Sequence, residues 1–220
     1  MSIIKRLMGT KLVWRLSGIS FWTAAIATTG SRMSIDDYIN SSKAGISQFL
    51  KYLQTDKIVL EFGCGLGRNL FAISDKIKYG YGIDINPLYI RLAKKIAKKY
   101  SFGNLNFFLY DGNNFPEEVP SADVILELNV FERLDKSSVE KCVLNLIAHL
   151  KPNGVVILFF LTDRAKGTEF TKRLGDSAYV FWSNDEIEKL LRRVKLDTKE
   201  LITVGVANIY VCEYPTLEQK

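Results

Sequence analysis

"VLEFGCGLGRNL", residues 59–70, sets Gly63, Gly65 and Gly67 directly behind an apolar run that ends in an acid, Glu61. Glycine in the interior of a strand or helix costs roughly 0.5–1 kcal/mol relative to alanine, so three in five positions call for a purpose. A strand, a glycine turn and a helix opening near Arg68 let a ligand touch main chain. The glycines make the tight turn and remove Cβ atoms, and the helix offers free N–H groups. The spacing is G-x-G-x-G, and Arg68 stands where the dinucleotide fingerprint places its third glycine, which speaks against a nicotinamide cofactor. The turn reads as one that clears a ligand site.

Outward from this turn, strand-like runs alternate with helical patterns, the signature of parallel strands joined by crossover helices. Strands are predicted at 58–62, 79–84, 105–110, 122–128 and 155–161, with helices near 67–76, 87–100 and 136–150. "KPNG" punctuates the turn before the fifth strand. Further on, "WSNDEIEKLLRRV" carries a capping box, Ser183 with Glu186, and Trp182 is placed to staple onto Ile187. Two β-like runs, "TKELITVG" and "ANIYVCEY", follow with a short turn at Gly205 and Val206, predicting an antiparallel hairpin at one sheet edge.

The 220 residues suit one domain with a sizeable core, and 47% hydrophobic content excludes a disordered chain. A net charge of +6 suits an anionic partner without amounting to a nucleic-acid footprint. Cys64, Cys142 and Cys212 are scattered and lack metal-ligand or disulfide spacing, so no metal site is expected and a reducing cytoplasm is the compartment that fits. Near the N-terminus, basic residues precede "LSGISFWTAAIATTG", residues 16–30, which is too short to span a bilayer and too polar for a signal peptide's apolar core. It reads as a helical arm packing on its own domain, with a membrane-surface helix and a cleaved signal as the alternatives.

Asp84 ends the second strand 17 residues after Gly67, where an open α/β sheet places an acid to accept both ribose hydroxyls. Asp111 ends the third strand in "FFLYDGNNFP", where a carboxylate can accept from an exocyclic amine, although "DGNN" also has strong turn chemistry. Three strand ends thus point at one nucleoside. These residues resemble the class I S-adenosylmethionine-dependent methyltransferases over roughly 45–214. "VLEFGCGLGRNL" is similar to the family's first motif, "GIDINP" to its second-strand acid motif and "DGNNFP" to its adenine motif. "ADVILELNVFERL" and "LKPNGVVILFF" resemble its fourth and fifth strands.

The resemblance implies an α/β three-layer sandwich on a seven-stranded, mostly parallel sheet whose last strand is antiparallel. It also implies S-adenosyl-L-methionine as cofactor. Residue by residue, it puts Glu61, Gly63 and Gly65 around the methionyl part, Asp84 on the ribose and Ile85 beside the adenine. Asp111 falls at the adenine amino group with Gly112 and Asn113 flanking the base, and Leu128 and Asn129 line the floor near the sulfonium. Arg68 and Asn69 depart from the family, which often has small residues there.

Methyl transfer needs an in-line nucleophile more than a base, and positioning alone can supply roughly 7–11 kcal/mol. No general base is named. The lone His149, in "LIAHLKPNG", reads as a helix C-terminal residue. Glu132, Arg133, Asp163 and Arg164 follow the fourth and fifth strands, as acceptor contacts or as solvated turn residues. Substrate choice is assigned to grafted segments: an N-terminal arm or lid over 1–45, and an insert at 163–182 in the domain spanning 46–220. Trp14, Arg15, Trp22, Phe170, Lys172, Arg173 and Tyr179 mix aromatic and basic character in these segments. The lysines of "RLAKKIAKKY" read as the solvated side of an amphipathic helix. No "NPPY"-like tetrapeptide follows the fourth strand, which favours a small-molecule acceptor methylated on oxygen or nitrogen. An RNA or protein methyltransferase, or a non-catalytic cofactor-binding protein, are the alternatives.

Overall fold

The computed structural model describes residues 34–172 and 176–215. The stretch 16–30, with Trp14, Arg15 and Arg173, lies outside the described residues. Seven strands are hydrogen-bonded in one sheet in the order β3-β2-β1-β4-β5-β7-β6, and the described chain divides after Pro120 into two compact units.

The unit up to Pro120 opens with helix α1, Ile35–Ile46, the described part of the expected N-terminal arm. Ser34 caps it by accepting from Asp37 N at 3.0 Å, and Asp36 and Asp37 in its first turn complement the helix dipole. It buries Tyr38, Ile39, Ser42 and Ile46, so this portion of the arm is a packed element. Strands β1 (Ile58–Phe62), β2 (Tyr79–Asp84) and β3 (Leu105–Leu109) run parallel, with Phe62 opposite Ile83 and Asp84 opposite Leu109. Their carboxyl ends therefore come to one edge. Helix α2 (Arg68–Ile73) crosses from β1 to β2 and ends in a 3-10 turn, Ser74–Lys76. Helix α3 (Pro87–Lys99) crosses from β2 to β3; Asn86 caps it by accepting from Leu88 N and Tyr89 N, and Pro87 occupies its first turn.

In the unit from Ser121, β4 (Ala122–Glu127) pairs in parallel with β5 (Leu150–Leu161). Strand β7 (Ala207–Glu213) is antiparallel both to β5 and to β6 (Asp197–Val204), as the hairpin pattern predicts. Helix α4 (Lys136–Ala148) joins β4 to β5, and α5 (Asn184–Arg193) precedes β6. Strand β5 begins at Leu150 rather than at Val155. Leu150 pairs with Ala122 while Val155 pairs with Val124, a register shift that takes up the extra residues, with Asn153 at φ +62°. "KPNG" is thus an irregularity inside a strand instead of the turn before it. Phe160 centres an aromatic cluster, 5.6 Å from Phe131, 5.3 Å from Trp182 and 5.9 Å from Tyr210 between ring centroids. No helix among the described residues is long and apolar enough to cross a membrane.

The capping box that opens α5 is complete: Ser183 Oγ accepts from Glu186 N at 3.3 Å, and Glu186 Oε2 accepts from Ser183 N at 2.9 Å. Trp182 and Ile187 on either side are both buried. Loss of such a cap costs about 1 kcal/mol. Ser183→Ala is therefore expected to lower the free energy of unfolding by about 1 kcal/mol in urea titration with the slope unchanged.

Candidate functional site

Three segments converge at the carboxyl edge of the first unit: Glu61–Gly67 after β1, Asp84–Asn86 after β2 and Tyr110–Asn114 after β3. Asp84 is the tie between the first two. Its Oδ2 accepts from Gly65 N at 2.9 Å and its Oδ1 from Asn86 N at 2.8 Å. The N–H groups of Gly63 and Cys64 both donate to Ile83 O, at 2.8 and 3.0 Å. The glycine turn is thus hung on the end of β2. Burial pushes the Asp84 carboxyl up to about 6, against the N–H groups of Asn86, Gly65 and Ile85.

The glycines do not share one purpose. At Gly65, with φ +55°, a Cβ would meet nothing within 4 Å among the described residues, so the backbone there borders open space. Gly67, at φ +85°, is the N-cap of α2, and a Cβ there would lie 2.6 Å from the Phe107 ring. The sequence reading that all three glycines clear a ligand site is corrected for Gly67, which lets α2 pack on β3.

Glu61 is only 2% exposed. Its Oε1 accepts from Asn69 Nδ2 at 2.6 Å, and Asn69 Oδ1 accepts from the Ser42 hydroxyl of α1. Its Oε2 is buried without a hydrogen-bond partner among the described residues. Burial raises the carboxyl to about 7; Asn69 and the Arg68 charge oppose this, and the Asp84 charge adds to it. Arg68 lies 6.0 Å from the Tyr38 ring. Arg68 and Asn69, the two departures from the family pattern, thus both bear on Glu61. Sequence reasoning missed Ser42, which has no motif of its own. A buried acceptor left open is costly in the free protein and calls for a donor.

Asp111 Oδ1 accepts from Asn113 N at 2.6 Å and from Asn114 N at 2.8 Å, the turn chemistry of "DGNN". Gly112 sits at φ +97°. Asp111 and Asn113 are exposed, Ile85 and Gly112 half-buried. Phe62, Tyr110 and Phe115 pack together here, with Tyr110 centred 5.5 Å from each of the other two rings.

In the other unit, half-buried Leu128 and exposed Asn129 follow β4, Asn129 at φ +68°. Glu127, fully buried, holds this turn: Oε1 accepts from Val130 N and Phe131 N, and Oε2 from Phe159 N at 3.0 Å. Glu132 is no solvated turn residue, being 3% exposed with Oε2 lacking a partner. Burial and mutual repulsion raise Glu127 to about 8, and burial raises Glu132 to about 7. Arg133 stacks 4.2 Å from the Tyr179 ring centroid and donates to Ala178 O. Arg164 donates to Asn208 Oδ1 at 2.8 Å, tying the segment after β5 to β7, and Asp163 pairs with Lys166 at 2.5 Å. His149 caps α4, its Nδ1 3.0 Å from Asn145 O.

Residues 59–154 match the family model described as a methyltransferase domain. Over these residues, somewhat less than half of its length, the chain is similar to that family. Among curated proteins, the tRNA N(3)-cytidine methyltransferase METTL2 of Danio rerio is 26% identical over 158 residues, which cover 63% of this chain and 44% of that protein. The match thus spans less than half of that relative's length. Among solved structures, the PH0226 protein from Pyrococcus horikoshii OT3 has a TM-score of 0.65 at 20% identity, covering 81% of this chain and 92% of that one. The magnesium protoporphyrin IX methyltransferase ChlM from Synechocystis PCC 6803, solved with bound SAH, has a TM-score of 0.64 at 15% identity, covering 97% and 99%. The chain shares the fold of these neighbours.

Two predictions follow from the geometry of the domain. Gly67→Ala combines left-handed backbone strain with overpacking and is expected to cost about 2–4 kcal/mol of stability, against about 1 kcal/mol for Gly65→Ala, both read from urea titration. Glu61, Asp84, Glu127 and Glu132 keep protons in the fold up to about pH 6–8 that the unfolded chain has lost near pH 4. The native state then binds more protons across that window, so stability falls as pH rises from about 5 to 8. Urea midpoints across this range should decrease, less steeply in Glu132→Gln; a flat or rising profile would contradict the assignment.

Proposed function

We propose that this chain catalyses methyl transfer from S-adenosyl-L-methionine to an oxygen or nitrogen acceptor. The observation that carries the reading is the orphaned, buried Glu61 Oε2 in the glycine turn where Gly65 borders open space. An acceptor without a donor and a backbone without a Cβ fit the ammonium and chain of a methionyl group. Glu61, oriented by Asn69 and Ser42, would take the ammonium, while Gly63 and Gly65 give the cofactor close approach to main chain. Each Asp84 oxygen already accepts one N–H and keeps a further lone pair for a ribose hydroxyl. Ile85 would lie against the adenine, with Asp111, Gly112 and Asn113 around its edge. The cofactor supplies an electrophilic methyl group on sulfonium; the protein's part is to bind, orient and exclude water.

For the acceptor, the absence of an "NPPY"-like tetrapeptide after β4 supports a small molecule. A second reading, RNA, is favoured by the relative named as a tRNA methyltransferase together with the cations of α3, which form no ion pair with a described residue.

Calorimetry with S-adenosylhomocysteine tests the site. Asp84→Ala is expected to weaken binding by about 1–3 kcal/mol and Glu61→Gln by about 1.5–3 kcal/mol, as for hydrogen bonds to charged groups. Unchanged affinity in both variants would remove the cofactor from this crevice.

A further inference from the structure

We infer that the exposed face of α3, with the hollow between it and strand β3, is a docking surface for single-stranded RNA, an inference that rests on the RNA reading of the acceptor. Helix α3 contains no acid, and Arg91, Lys94, Lys95, Lys98 and Lys99 are all exposed. None of the five forms an ion pair with a described residue. Elsewhere in the fold Lys76, Lys136, Lys166 and Lys199 are exposed with a carboxylate partner. Positions 91, 94, 95 and 98 fall on one stripe, which at 1.5 Å per residue makes a cationic row about 10 Å long. Such a row faces several consecutive phosphates of an extended strand.

The stripe borders two hollows that share Lys94 and Lys98. One, of about 540 Å³, lies against Phe102, Leu105 and Phe108; the other, of about 460 Å³, runs along Pro87, Ile90 and Leu109. Neither is lined by an acid. Charge and ring are combined here. Half-buried Phe108 stacks on Tyr81 with ring centroids 6.4 Å apart, and Lys94 lies 5.7 Å over it. Leu109, the last residue of β3, is 48% exposed for so large an apolar side chain. A basic track beside an aromatic platform is the arrangement that holds unpaired bases and their phosphates together. Pro87 opens α3 and Leu109 closes β3, so the track begins at the carboxyl edge that carries Asp84 and Asp111. An RNA strand lying along it would lead toward the proposed cofactor crevice.

The test is fluorescence anisotropy of a labelled, mixed-sequence 12-nucleotide single-stranded RNA on the full chain, alongside the thermal shift given by S-adenosylhomocysteine. The wild type is expected to bind and to lose about tenfold to twentyfold in affinity between 50 and 200 mM salt, the slope for about three neutralised phosphates. Lys94→Glu/Lys95→Glu/Lys98→Glu should weaken binding at least tenfold and flatten the salt dependence while leaving the S-adenosylhomocysteine shift intact. Phe108→Ala should weaken binding with the salt slope preserved. Wild-type RNA affinity in the triple variant would overturn the inference, as would tighter binding of the equivalent DNA. Competition by a poly-glutamate peptide as effective as that by RNA would also overturn it, assigning the hollow beside the edge strand to an acidic peptide. Loss of the S-adenosylhomocysteine shift with RNA binding retained would count against the cofactor reading alone.

Discussion

The carboxylate of Asp84 fastens the glycine turn of one strand to the loop after the next, accepting from Gly65 N and Asn86 N at once. A turn made of residues at positive φ has no intrinsic reason to hold one shape, because glycine gives up more conformational entropy than any other residue when it is ordered. Two charged hydrogen bonds from a half-buried acid supply that constraint. The same bonds place the cap residue Asn86, and so the start of α3, relative to the turn. The crevice edge, the first turn of α3 and the backbone around Gly65 all depend on this one side chain.

Each of the two units keeps a glutamate out of water, Glu61 in one and Glu127 in the other. A buried carboxylate is tolerated when its oxygens are hydrogen-bonded, and Glu127 meets that condition with three backbone N–H groups. Glu61 meets it by half. Asn69 and, behind it, Ser42 orient one oxygen and leave the other open. A side chain held in one orientation with an open acceptor is what the proposed contact with a ligand cation requires. Helix α1 thereby helps orient Glu61 through Ser42, beyond covering the core with Tyr38 and Ile46.

Much of the fold was legible in the chain because parallel strands with crossover helices impose a strict alternation of periods. The five strands read from the pattern, the hairpin at Gly205 and the Ser183 capping box all stand in the structure. What failed did so for local reasons. "KPNG" looked like a turn because Pro152 and Gly154 break regular structure, yet a register shift against β4 absorbs it within β5. Glu132 looked like a surface residue because acids after strands usually are, and burial is a property of what packs over them.

Residues 59–113 by themselves determined the local pattern from which a ligand approach is proposed: glycines behind a strand, an acid at the end of the next and a turn-forming Asp111 follow from residue type and spacing along a chain with a fixed strand period. Only the tertiary structure decided which glycine is bare and which is packed, since Gly65 and Gly67 differ by what stands opposite, Phe107 from a distant strand. It alone joined Ser42 to Asn69 and Glu61 across 27 and 8 positions of sequence. It also showed that the cations of α3 form no ion pair with a described residue. Spacing along a chain encodes local geometry, whereas contact between segments is set by how the whole core closes.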